Sequence, residues 1–252
     1  MGKKERASVL SSTIGAALVL GGVAYTLNWP YLLRLDFAAL LPYKIAFLRG
    51  LSVTVVATAV SILIGLGIGT VLAAMAEAPL RSVRAGVQAW LEVWRDLPLV
   101  VILFWVHFAL PLLTGLSTSA IVSGVIAISL QASAYLADVI SAGIRAVPKG
   151  QWEAADAVGL PRTVTWLKII IPQAIATMLP AIVNLMLGYL KASAILALLP
   201  AGELMSVGAD IASRSFRPIE TFIVVGAVYL LLGWSVGFAG GRMEERLTRS
   251  RA

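Results

Sequence analysis

The sequence predicts an all-α polytopic membrane protein, and three observations carry that expectation. Of its 252 residues, 59% are hydrophobic and only 13% are charged, about half the roughly 25% charge of ordinary soluble domains. The charges are clustered. Uncharged runs of 27, 27, 41, 22 and 21 residues separate Arg6 from Arg34, Arg49 from Glu77, Asp96 from Asp138, Lys168 from Lys191 and Glu220 from Arg242. These runs are continuously apolar rather than alternating, which argues against membrane strands and for helices, whose backbone groups satisfy one another in lipid.

About 20 apolar residues cross the hydrocarbon core, so the 41-residue run holds two crossings, with Pro111-Leu-Leu-Thr-Gly-Leu-Ser-Thr-Ser119 as the turn between them. Six spans follow, at about residues 10–28, 50–76, 91–112, 119–145, 174–199 and 219–240. The apolar stretch from Ala7 to Leu27 exceeds the roughly 7–15 residues of a signal-peptide core, so it reads as an uncleaved first span. One set of connections carries 13 basic residues: Lys3, Lys4, Arg6, Arg81, Arg84, Arg145, Lys149, Arg162, Lys168, Arg242, Arg246, Arg249 and Arg251. The opposite set carries five, at Arg34, Lys44, Arg49, Arg214 and Arg217. The positive-inside rule then expects both termini in the cytoplasm. No internal repeat or soluble domain is evident in the chain.

Composition narrows the chemistry. With no cysteine and the single histidine His107, disulfides, thiol catalysis and a His-rich metal site are not expected. The net charge of +7 is read through the placement of basic residues beside a lipid membrane, not as a nucleic-acid surface.

The longest connection on the basic side, about 146–173, is the most informative. Pro148 ends span four and Lys149-Gly150 is expected to turn the chain. Gln151-Trp-Glu-Ala-Ala-Asp-Ala-Val158 follows as a short helix, stopped by Gly159 and Pro161. Ala154, Ala155 and Ala157 keep its surface free of bulk, which would let another protein approach closely. So short a helix is unstable alone and needs a partner or flanking anchors.

Polar groups inside spans are expensive and are functional candidates. Gln131, Tyr135, Asp138, Ala142 and Arg145 recur on one stripe of span four. The stripe could line a solute path, or Asp138 could bond Tyr135 or a neighbouring span while Arg145 reaches water. On span five, Asn184, Gly188 and Lys191 share a stripe, with Lys191 either inside or snorkelling. Glu92, Arg95 and Asp96 have the spacing of local ion pairs at a helix end, with a gate contact as the alternative. His107 is expected to pack or to make one hydrogen bond. Ser61, Gly65 and Gly69 form a small-residue stripe for close helix crossing.

Glu153-Ala154-Ala155, Gly159 and Ile169-x-Ile171-Pro172 resemble the cytoplasmic Glu-Ala-Ala loop of bacterial ABC-importer permeases. The resemblance covers about residues 46–240. It takes in Gly50-Leu-Ser-Val-Thr54, Arg95-Asp-Leu-Pro98, Phe108-Ala-Leu-Pro111, Ala134-Tyr-Leu-Ala-Asp138, Gly143-Ile-Arg-Ala-Val-Pro-Lys-Gly-Gln151, Asn184, Lys191-Ala-Ser193 and Glu203-Leu204. Those boxes are similar to the polar amino-acid (histidine/glutamine-type) subfamily, with departures at Ile102, Ser141 and Ala194. The resemblance implies a type I ABC-importer transmembrane domain at 46–240. Residues 1–45 would precede it as tail, first span and loop, and 241–252 would follow as a cytoplasmic tail. It also implies a bacterial inner-membrane permease without catalysis of its own, carrying a polar amino acid or similar small solute. The expected partners are a cytoplasmic ATPase dimer, a second permease and an extracytoplasmic binding protein. No phosphate-loop motif is present, so ATP and Mg would be held by the partner ATPase. Glu153, Ala154, Ala155 and Gly159 would couple to it. Gln131, Tyr135, Asp138, Asn184, Lys191 and Ser193 are candidates for the solute path, and Arg95, Asp96 and Glu203 for a gate or a structural role. A permease of the same architecture for another solute, or an ion-coupled secondary transporter, is the alternative.

Overall fold

The computed structural model describes residues 24–249 and, upstream of them, residues 13, 15, 21 and 22. Most of the first expected span, about 10–28, lies outside the described residues, as do Lys3, Lys4, Arg6 and Arg251. The chain divides into two units, Met1–Ala39 and Leu40–Ala252. In the first, the Asn28 side chain caps the single turn α1 (Trp29–Leu32) by accepting from the Tyr31 amide at 3.2 Å. The Trp29 indole N–H donates to the Ala24 carbonyl at 2.8 Å.

Every regular element described in the second unit is helical. Four segments are long and apolar enough to cross a membrane. They are Phe37–Ala76, which contains α2 (Lys44–Ala76), α5 (Ala120–Arg145), α7 (Arg162–Leu198) and Pro218–Arg246 within α9 (Pro218–Arg249). Between them stand α3 (Arg81–Asp96), α4 (Leu99–Thr114), α6 (Lys149–Ala157) and α8 (Leu204–Ser215).

Span three departs from the expected rod at 91–112. Helix α3 begins ten residues earlier, placing Arg81 and Arg84 in a helix rather than a connection, and α3 meets α4 at an angle of 101°. The cause is Pro98. It has no N–H to continue the ladder, and it forces Leu97 into extended backbone at φ −77°, ψ 132°. The described residues therefore contain four crossings, or five if the bent pair counts as one. Two other prolines act more gently. The turns just before Pro111 and Pro172, Trp105–Ala109 and Thr165–Ile170, widen to π-helix, with the Leu110 and Ile171 amides bonding five residues back to Trp105 and Trp166. The wider turn relieves the clash between a proline ring and the carbonyl four residues upstream.

The core is built around α5. Ile128 and Leu136 of α5 pack with Ile102, Leu103 and Val106 of α4 and with Leu196 of α7. Helix α2 presses against α5 along the expected small-residue stripe. A Cβ on Gly65 would lie 2.9 Å from the Ala132 Cβ, and one on Gly69 would lie 2.9 Å from the Ser133 carbonyl oxygen and 3.0 Å from the Ala137 nitrogen. Ser61, fully buried, bonds back to Ala57 at 2.8 Å.

A second core holds α8, a helix that the sequence reading did not anticipate. Leu204, Ile211 and Val225 pack there with Phe47, and Thr54 ties α8 to α2 by accepting from the Leu204 amide at 3.0 Å.

Because the two nearest atoms facing Gly69 are backbone and the third is the Leu136 Cβ, Gly69→Leu is expected to destabilise the protein by about 1–3 kcal/mol through overpacking. Gly67→Leu, one turn-face away with nothing within 4 Å of its Cβ, should change stability by less than about 0.5 kcal/mol. Thermal unfolding of the two variants in detergent compares them directly.

Candidate functional site

The connection between α5 and α7 folds as a small anchored knob. Pro148 is the N-cap of α6, so Lys149 and Gly150 form its first turn rather than the turn expected before it, and neither acidic residue falls in that first turn. The far end closes as a Schellman motif: the Leu160 amide bonds the Ala155 carbonyl at 3.0 Å and the Gly159 amide bonds Asp156 at 3.1 Å. Gly159 sits at φ +69°, a left-handed conformation that a side chain resists. Trp152 stacks edge-on against Trp166, with ring centroids 5.2 Å apart, and Trp152 also packs against the apolar cluster of Val147, Ile170 and Ala174.

Helical spacing puts Trp152 and Ala155, three residues apart, on the inward face. Ala155 is consequently only 2% exposed, which corrects the expectation that it belongs to an outward surface. Glu153, Ala154, Asp156 and Ala157 remain exposed, and Val158 is 72% exposed beside them. The helix thus presents a small, nearly flat face with two carboxylates.

The polar stripe on α5 meets the end of α3. All three of its central groups are engaged with the end of α3. Asp138 forms an ion pair and hydrogen bond with Arg95, whose side chain is 33% exposed against 42% for Asp138. The Tyr135 hydroxyl donates to the Arg95 carbonyl at 3.4 Å, and the Gln131 amide donates to the Leu97 carbonyl at 2.9 Å. Arg95 therefore reaches across to α5 instead of pairing with Glu92, while Glu92 and Asp96 stay exposed. Arg145, at the end of the same stripe, approaches Glu77 at 3.9 Å with both side chains mostly exposed, a contact worth little in water.

On α7, Asn184, Gly188 and Lys191 share an exposed face. Ser193 departs from it: fully buried, its hydroxyl donates to the Leu190 carbonyl at 2.7 Å, because the helix tightens to 3-10 geometry over Ser193–Leu198. Glu203 is also fully buried. It caps α8 by accepting from the Met205 and Ser206 amides at 2.7 Å each, and it accepts from the Tyr229 hydroxyl at 3.2 Å. Burial pushes its carboxyl above the usual carboxylate range, against the downward pull of those donors. His107 makes one side-chain hydrogen bond, Nδ1 to the Ser123 hydroxyl at 2.8 Å, and lies edge-on to Phe108.

An apolar cavity of about 620 Å³ lies between α2, α5 and α7, lined by Leu66, Thr70, Glu77, Ile140, Trp166 and Met178 among others. Among the described residues no group of three or more His, Cys, Asp or Glu could hold a metal ion. The arrangement offers an anchored knob with a small exposed face, an elbow fastened by polar bonds and a polar helix face.

Comparisons with known proteins match this architecture. A family model described as binding-protein-dependent transport system inner membrane component matches residues 65–249. The arginine transport system permease protein ArtQ of Bacillus subtilis is 34% identical over 215 residues, covering 85% of this chain and 98% of that protein. A putative glutamine transport system permease protein GlnP of Rickettsia conorii is 31% identical over 205 residues, covering 81% and 94%. In the crystal structure of an amino acid ABC transporter with histidines, a chain 31% identical superposes with a TM-score of 0.78, covering 84% of this chain and 99% of that one. A chain of the inward-facing MetNI methionine ABC transporter, 20% identical, shares the fold with a TM-score of 0.71. With a knob between spans, an all-helical type I fold and matches over most of its length, the chain belongs to the inner-membrane components of binding-protein-dependent transport systems, the permease subunits of ABC importers.

Proposed function

We propose that this permease carries a polar amino acid or similar small solute into the cytoplasm, driven by ATP hydrolysis on a separate pair of ATPase subunits. The observation that carries the coupling half of the reading is α6. Its inward face is anchored by Trp152 and Ala155, its C-terminus is locked at Gly159, and Glu153 and Ala154 stand exposed. A partner ATPase can close against that face without meeting bulk. Glu153 and Asp156 favour basic or backbone N–H groups on the partner surface. ATP and Mg bind to the ATPase, and the present chain supplies the lever.

The solute half rests on the kinship with arginine and glutamine permeases and on the exposed face of Asn184 and Lys191. An ammonium on that face suits the carboxylate that every amino acid carries. The path lies between this chain and a second permease, identical or homologous, and an extracytoplasmic binding protein delivers the solute. The basic connections, including α6, face the cytoplasm together with both termini.

Three outcomes test the reading. In complexes reconstituted with the ATPase, solute-loaded binding protein should stimulate ATP hydrolysis; no stimulation by any amino acid ends it. Gly159→Trp, which forces a bulky residue into φ +69° at a cost of about 1–2 kcal/mol, should leave membrane insertion intact while abolishing both stimulation and uptake. Lys191→Met should lower uptake roughly tenfold, the factor that 1.4 kcal/mol of lost charge pairing represents, with little change in the thermal midpoint. Unchanged uptake would remove Lys191 from the path.

A further inference from the structure

We propose that Gln131, Tyr135 and Asp138 form a three-point strap that sets the angle of the α3–α4 elbow and carries displacements of α5 into it. These three are positioning residues and not part of the solute path. The inference rests on the importer reading for its use, and on the geometry alone for its existence.

The sequence builds a defect at Pro98. The last turn of a helix leaves carbonyls without intrahelical donors, and at this end Pro98 removes a further N–H. Within α3 the Leu97 amide still bonds the Val93 carbonyl at 3.4 Å. The Arg95 and Leu97 carbonyls point out of the ladder, and α5 supplies the missing donors: the Tyr135 hydroxyl to the first and the Gln131 amide to the second. Asp138 then holds the Arg95 side chain. Three side chains at offsets of four and three on one helix face thus grip a three-residue stretch, Arg95 to Leu97, on both its backbone and its side chain.

Two further contacts make the strap directional. Upstream, the Trp90 indole N–H donates to the Ser133 hydroxyl at 3.0 Å, and Val87 and Leu91 pack on Ala134 and Ala137, so α3 rides on α5 rather than on solvent. Downstream, Ile102, Leu103 and Val106 of α4 are 1–2% exposed in the core they share with α5. Both arms of the elbow therefore rest on the same helix. That helix ends at Arg145, and α6 begins four residues later at Lys149. From Asp138 to Arg145 is about 10 Å along the axis. A stroke delivered to α6 reaches the strap through two turns of helix.

The test uses the natural absence of cysteine. Spin labels on cysteines placed at the exposed positions Arg84 and Leu112 report the distance across the elbow in the assembled permease complex, measured without solute. The parent should give one narrow distribution. Gln131→Ala, Tyr135→Phe and Asp138→Asn together should broaden it, as should Arg95→Met. The exchanged pair, Arg95→Asp with Asp138→Arg, should narrow it again and restore uptake that the single changes lower about tenfold. A distribution unmoved by the triple variant overturns the strap, and does so more pointedly if uptake is lost at the same time, because solute contact would then explain the loss. Should the triple variant fail to assemble, Tyr135→Phe alone is measured, since it removes one bond and no charge. Absence of solute-stimulated ATP hydrolysis in the parent would count against the importer reading, while the elbow distance still decides the strap.

Discussion

Inside a hydrocarbon layer no water completes a broken backbone ladder, so each proline within an apolar segment must be answered by the protein itself. Pro111 and Pro172 are answered locally, by widening one turn to π geometry so that the Leu110 and Ile171 amides find carbonyls five residues back. Pro98 cannot be answered that way. The chain turns through 101° there, and a change of that size separates the two ladders altogether. The Arg95 and Leu97 carbonyls before Pro98 are satisfied by another helix, and the donors are the polar residues that would otherwise be anomalous in α5. One constraint on backbone hydrogen bonding thus accounts for both the elbow and the stripe.

The same constraint explains why α5 is the hub. Of its most apolar stretch 67% is buried within the chain, against 6% for that of α9. Helix α9 therefore leaves far more of its surface outside the chain's own core. A helix surrounded by neighbours needs small residues so that their backbones can approach. Ala127, Ala132, Ala134 and Ala137 are all at most 1% exposed, and Gly65 and Gly69 of α2 complete the approach from the other side. Without hydrophobic drive between helices in lipid, close packing and interhelical hydrogen bonds are what fix their order, and α5 supplies both.

Much of this was legible in the sequence for a clear reason. Charges are costly in hydrocarbon, so the uncharged runs marked α2, α5, α7 and α9, and the spacing of Ser61, Gly65 and Gly69 marked the crossing of α2 over α5. The stripe at 131, 135 and 138 was also visible, but not what it meets, because the partners at Arg95 and Leu97 are carbonyls and every residue has one. Glu92, Arg95 and Asp96 suggested local pairing, since helical offsets are all that a sequence shows; Arg95 instead pairs with a residue 43 positions away. Ala155 was misplaced because three alanines look alike until Trp152 decides which face is inward. Helix α8 left a signal that went unused: Glu203 as a cap, followed by Leu204, Val207, Gly208, Ile211 and Ala212 at offsets of three and four.

The anchoring of α6 also constrains how a load on it can be shared. A nine-residue helix melts readily in water, and a melted connection would absorb displacement instead of passing it on. Here both ends are fixed, by Pro148 at the start and by the left-handed Gly159 at the stop. Its middle is pinned by the Trp152–Trp166 contact, worth about 0.5–1.5 kcal/mol beyond the area it buries. Trp166 belongs to α7, and Pro161 begins that helix two residues after Gly159. Helix α6 is thus attached to α5 through one short joint and to α7 through another, with a side-chain contact bracing the second. On the proposed coupling, a push on its outer face would find no slack segment in which to dissipate, so α5 and α7 would move together and whatever is fastened to α5 would move with them.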